Sequence, residues 1–169
     1  MTDDIPTLRL QDAWRECERH VYHLFHALSS IRTFWPLTGE TYANLSDEQV
    51  QDVDQFILRF TKLQDTIGGR LFPAILHYLT EPFEDRPMID KLNRLEKLGF
   101  IDSVERWQMV RNIRNQFAHD YPDDPDKNAA QLNLAFESAR DLYAMLTTAS
   151  TKLKAEYPAL ELGKLLSVE

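Results

Sequence analysis

Val-Glu-Arg-Trp-Gln-Met-Val-Arg-Asn-Ile-Arg-Asn-Gln-Phe-Ala-His-Asp-Tyr, residues Val104 to Tyr121, is the stretch on which the organisation of the chain turns. At about 100° per residue, Met109, Val110, Ile113 and Phe117 fall on one arc of a helix, the arc expected to face the core. Trp107, Arg111, Arg114, Asn115 and His119 fall on the opposite half. The spacing predicts a helix that Asp102 and Glu105 open as a capping box and that runs into Tyr121, where Pro122 disfavours helical backbone for the residue before it.

The same period extends outward in both directions, and alternating strand patterns are absent. A first helix is expected from about Leu10 to Phe34, with Trp14, Val21, Leu24, Leu28 and Ile31 along one side and Pro36 and Gly39 ending it. Ser46 with Gln49 predicts a capping box for a second long helix. That helix carries Val53, Phe56, Ile57, Phe60, Leu63 and Ile67, then meets Gly68, Gly69 and Pro73. Apolar spacing resumes at Leu71, Ile75, Leu76 and Leu79, so a kink is expected rather than a stop. A short helix from about Met88 to Leu98 closes on Gly99. Asp124 and Pro125 form the N-cap and first position of a last helix reaching about Glu156. The expected fold class is therefore all-α, an up-and-down bundle of four main helices plus one short helix. It forms a single domain over residues 1–169, with its core over about 8–156 and a tail, 157–169, that either stays loose or docks on a partner.

Composition narrows the function classes. A chain of 169 residues fits one domain, and its 43% hydrophobic and 27% charged residues are those of a globular protein. The one cysteine, Cys17, excludes a disulfide framework; it is expected to be small and at least partly buried. No stretch reaches the roughly 20 apolar residues of a membrane-spanning helix, and the acidic start, Met-Thr-Asp-Asp-Ile-Pro, holds no apolar signal core. A cytoplasmic protein without membrane contact is expected. The net charge of −8 argues against coating nucleic acid non-specifically, because that mode gains affinity by displacing counterions with Lys and Arg. Between Arg86 and His119, however, seven basic residues face four acidic ones, so an anion would find its partner there.

The residues of that segment have chemistry in common. Asn115 and His119 are four apart, neighbours on a continuous helix, so the amide can orient the imidazole. Arg114 precedes His119 by about a turn and a half. A guanidinium suits phosphate through two parallel charge-assisted hydrogen bonds, and an imidazole suits proton transfer near neutrality. Each residue also has an ordinary use: solvated arginines, a histidine at a helix C-terminus, a surface asparagine, a rim tyrosine.

Arg114 to Tyr121 resembles the Arg-x-x-x-x-His-x-Tyr signature of HEPN domains, with Asn115 following the arginine as it often does there. The order of long and short helices is similar to that family over about residues 8 to 156, and the chain is most similar to the HepT-like toxins of toxin–antitoxin pairs. The resemblance implies an endoribonuclease that cleaves RNA without metal or other cofactor, as a homodimer whose two motifs face one another. It further implies a nucleotidyltransferase antitoxin as partner, which in some pairs adds AMP to the motif tyrosine. Arg114 and His119 would then be catalytic, with Asn115, Arg111 and Tyr121 supporting; Tyr121 either positions the site or accepts AMP. Two alternatives stay open. One is a non-catalytic HEPN-like module that binds nucleotide or a nucleotidyltransferase partner; the other is a helical scaffold carrying the motif by chance.

Other clusters are weaker. His20, His23 and His26 drift about 60° around a helix at each step and do not converge as metal ligands must. Asp120, Asp123, Asp124 and Asp126 are explained more simply as turn and helix N-terminal acids.

Overall fold

The computed structural model describes residues 4–119 and 121–168, and these are helical without a strand. Helix α1 (Ile5–Ile31) starts earlier than the apolar spacing suggests, because the Asp4 carboxylate caps it by accepting from the Thr7 amide at 2.9 Å. Helix α2 (Gly39–Ala43) is a turn that was not expected. Gly39, taken from the sequence as a breaker, instead opens it under a Thr38–Thr41 capping box and lies hard against the Asp126 side chain. Helix α3 (Asp47–Thr66) has the expected Ser46–Gln49 capping box, with both reciprocal hydrogen bonds made.

The expected kink takes the form of a π-helical turn over Ile67–Leu71, leading into α4 (Phe72–Tyr78). Pro73 cannot donate to the helical ladder, and the wider turn absorbs the missing bond. It also keeps Ile67, Leu71, Phe72, Ile75 and Leu76 all buried. Helix α5 (Met88–Leu98) closes on Gly99 at φ +84°, the left-handed position a glycine takes without strain. Helix α6 (Val104–Gln116) is capped by Ser103, whose hydroxyl accepts from the Arg106 amide at 3.1 Å. Asp102, the expected cap, accepts instead from the Thr148 hydroxyl at 3.1 Å. Helix α7 (Pro125–Glu156) opens on Asp124 and Pro125 as expected.

Packing corrects the two ends of the α6 pattern. Trp107 is 3% exposed and Met109 is 59% exposed, the reverse of the expectation. The buried arc is Trp107, Val110 and Ile113 with Phe117 half-buried, a stripe that advances by three and rotates away from Met109. The reason lies in the partner surface. Buried Gly68 presents no side chain, so the indole of Trp107 sinks onto the π-turn and stacks at a tilt on Phe72, 5.0 Å between ring centres. Elsewhere α1 packs chiefly on α3, and α7 runs past α1, α2, α3 and α6, burying Leu132, Phe136, Leu142, Leu146 and Leu153. Phe136 meets Phe56 edge to face at 4.8 Å. Asn133 of α7 pairs both ways with the Leu37 backbone at 2.8 Å, holding the loop before α2.

The tail docks on the chain's own bundle. Leu160 is buried, the Trp14 indole donates to the Gly163 carbonyl at 2.8 Å, and Tyr143 donates to the Leu166 carbonyl at 2.7 Å. Among the described residues no helix is long and apolar enough to cross a membrane.

A methyl group on Gly68 would lie 2.8 Å from the Trp107 ring, whereas one on Gly69 meets nothing within 4 Å. Gly68→Ala is therefore expected to cost about 1–3 kcal/mol as overpacking. Gly69→Ala should change stability by less than about 1 kcal/mol. Denaturant midpoints of the two variants, compared with the native chain, check this.

Candidate functional site

Helix α6 delivers Arg111 and Arg114, one turn apart, to the carboxylate of Asp65 near the end of α3. Arg114 binds it with two parallel hydrogen bonds, Nε to Oδ1 at 2.9 Å and Nη2 to Oδ2 at 2.8 Å. Arg111 adds a bond from Nη1 to Oδ1 at 3.0 Å, and its Nη1 also donates to the Oε1 of fully buried Gln64 at 2.6 Å. Partial burial works against a charge on Asp65, but the hydrogen bonds from Arg114 and Arg111 outweigh it and hold the carboxyl below its ordinary range. The hydrogen bond to Asp65 in turn raises Arg114. Two guanidiniums on one carboxylate leave a net positive charge at this spot. Together with Gly68, Trp107 and Gln108, the three charged residues line a hollow of about 510 Å³.

His119 stands elsewhere. Helix α6 ends at Gln116 rather than at Tyr121, and the chain leaves it through three successive i to i+3 bonds onto Arg114, Asn115 and Gln116. The four-residue neighbour relation of a continuous helix is lost at that point. No hydrogen bond joins the exposed Asn115 amide to the exposed His119 imidazole among the described residues. His119 lines a second hollow of about 470 Å³, walled by Tyr42, Val53, Ile57, Phe117 and Leu132, with Asp54 and Asn128 among its polar groups. Asn128 also fixes the next piece of the motif. It is 8% exposed, and its Nδ2 donates to the Tyr121 carbonyl at 2.8 Å, while the Asp124 amide donates to the same carbonyl at 3.0 Å. The Lys127 ammonium lies 3.9 Å from the centre of the Tyr121 ring.

The structure thus brings Arg111 and Arg114 together through Asp65 at one hollow and places His119 at another, which Asn128 also lines while holding the Tyr121 carbonyl. Sequence reasoning missed Asp65, Gln64 and Asn128. Asp65 and Arg114 are 49 positions apart, and nothing in the local pattern pairs them. Asn128 left a faint signal, as a polar residue at a position where the first turns of a long helix turn inward.

The weaker clusters resolve simply. Buried His20 sits 3.1 Å from Arg59 and 3.6 Å from Glu16, and burial first, then Arg59, lowers its pKa. His26 faces out beside Tyr22. Asp124 caps α7, Asp126 packs on Gly39, and Asp120 lies outside the described residues. Cys17 is fully buried, and desolvation pushes its thiol up. The chain matches no protein-family model, no curated protein and no solved structure.

Asp65→Asn removes one negative partner from two arginines. Because its folded-state pKa is depressed, the Asp65 carboxylate contributes stability that is complete above its unfolded-state pKa of about 3.9 and drains away as pH falls through the lower folded value. Near neutral pH the variant should melt below the native chain, by less than about 1 kcal/mol per exposed pair. The gap should close below about pH 4; thermal melts across pH measure it.

Proposed function

We propose that the chain is a ribonuclease of the HEPN type, a HepT-like toxin folded as that family's up-and-down bundle. It cuts RNA without metal and acts as a homodimer under a nucleotidyltransferase antitoxin. The observation that carries the reading is how little of Arg114 its partner consumes. A guanidinium has five N–H groups; Asp65 engages two, on Nε and Nη2, and three remain for a phosphate. Asp65 is in this reading a positioning residue, aiming the free edge of a planar, charged fork. Arg111 leaves its Nε and Nη2 groups unspent beside it.

The chemistry needs only groups that this chain carries. His119 takes the proton of a 2′-hydroxyl while that oxygen forms a bond to phosphorus, and Arg114 stabilises the charge that builds on the phosphorane. The bond from phosphorus to the 5′-oxygen then breaks, and the leaving oxygen takes a proton, giving a cyclic phosphate and a 5′-hydroxyl. One chain offers one such imidazole in the motif. A two-fold dimer supplies the second, as acid to the first's base. Asn115 contacts phosphate, and Tyr121 closes the site or, as AMP acceptor, carries a phosphate into it and blocks RNA.

A second reading, a non-catalytic module that binds nucleotide or a nucleotidyltransferase, is favoured by one specific observation: Arg114 and His119 line separate hollows.

Incubation of a mixed RNA pool in EDTA separates the two readings. The native chain is expected to leave cyclic-phosphate ends, Arg114→Ala and His119→Ala to lose roughly a hundredfold or more in rate. A folded, dimeric chain unmodified at Tyr121 that cuts nothing supports the binding module. For the antitoxin, mass spectrometry after co-expression with a neighbouring nucleotidyltransferase is expected to find AMP on Tyr121; an inhibited complex with bare Tyr121 rejects that mode of control.

A further inference from the structure

We infer that the hollow beside His119 is a nucleobase pocket that selects guanine, the base on the 5′ side of the cut bond, with the Asp54 carboxylate as its reader. The placement of the base on the 5′ side of the cut bond rests on the ribonuclease reading; the pocket itself stands on its own geometry.

At about 470 Å³ the hollow is in the range of small-molecule sites, which run from roughly 300 to 1,000 Å³. Its walls are apolar and aromatic: Val53, Ile57 and Leu132 from α3 and α7, with the rings of Tyr42 and Phe117. A base has the matching anatomy of two apolar faces, which stack on such walls, and a polar edge that must find partners. Of the polar side chains in the described lining, Tyr42, Asp54, His119, Asn128 and Gln131, the Asp54 carboxylate is the one that only accepts. Asp54 is exposed and has no ion-pair partner among the described residues, unlike Asp65 in the other hollow. Asn128 gives one N–H of its Nδ2 to the Tyr121 carbonyl, and its Oδ1 can accept.

A carboxylate discriminates among bases by their donors. Guanine presents N1–H and the N2 amino group side by side, matching the two oxygens of one carboxylate. Adenine and cytosine bring one exocyclic amino group each, and uracil one ring N–H. Position adds the rest. The ribose whose 2′-hydroxyl attacks carries the base on the 5′ side of the cut bond, and His119, the group that takes its proton, shares the hollow.

The test is titration of the isotope-labelled 169-residue chain with guanosine and with each of the four nucleoside monophosphates, read by amide chemical shifts. Guanosine and its monophosphate are expected to move Val53, Asp54, Ile57, Asn128 and Leu132, at least about tenfold more tightly than the others. Asp54→Asn, which turns one acceptor oxygen into a donor at an exposed helical position, should cost guanine about tenfold or more. Sequenced RNA products should end mainly in guanosine cyclic phosphate. Equal binding of all four bases, or no shift in these residues while RNA is cut after every base alike, overturns the pocket and leaves the ribonuclease standing. Guanine binding by a chain that cuts no RNA keeps the pocket and removes the ribonuclease.

Discussion

One carboxylate, Asp65, organises the motif helix. With Gln64 it links α3 to α6 through polar groups, and it fixes two arginines that would otherwise swing through solvent. An exposed salt bridge between flexible side chains contributes little, because the ordering of both chains offsets the attraction. Here the geometry is bidentate, one partner is shared, and Gln64 beneath it is buried, so the orientation is set more firmly than the energy. The π-turn that begins two residues after Asp65 then places Gly68 under Trp107. The depth of α6 against the bundle, and so the height of both arginines, depends on that contact.

Beyond Gln116 the controlling group changes from a helix to an amide. Asn128 holds the Tyr121 carbonyl from the first turns of α7, and His119 lies between the two anchors. The imidazole is thereby kept exposed at the edge of a hollow whose far wall comes from α2 and α3. The short α2, with Gly39 pressed on Asp126, belongs to this arrangement, since it brings Tyr42 to the hollow.

The helices were legible in the sequence wherever a cap or a breaker had a local cause: Ser46 with Gln49, Gly99, Asp124 with Pro125. Local signals failed where a tertiary contact decided. Gly39 looked like a terminator, but its lack of a side chain serves contact with α7. The apolar spacing puts Met109 on the α6 stripe, because an apolar residue at the arc's edge cannot be told from one at its centre without knowing the opposing surface. Trp107 won the inner place because Gly68 left room for it. The motif residues were found as a set, but not their division between two hollows, which follows from the helix ending five residues before Tyr121. Asp65, paired across 49 positions, has no sequence signal that a single chain can offer.

The docked tail ties two distant stretches of the chain together, with Trp14 bound to Gly163 across 149 positions. During synthesis that bond can form only once Gly163 has been made, after every residue of α7, so until then the Trp14 indole lacks this partner. The ligands of this clasp are main-chain carbonyls of Glu161, Gly163 and Leu166. Side chains along the tail can therefore drift through evolution with little effect on the clasp, provided that Leu160 stays apolar and the Glu18 carboxylate, which lies on Gly163, can swing aside for any larger residue there.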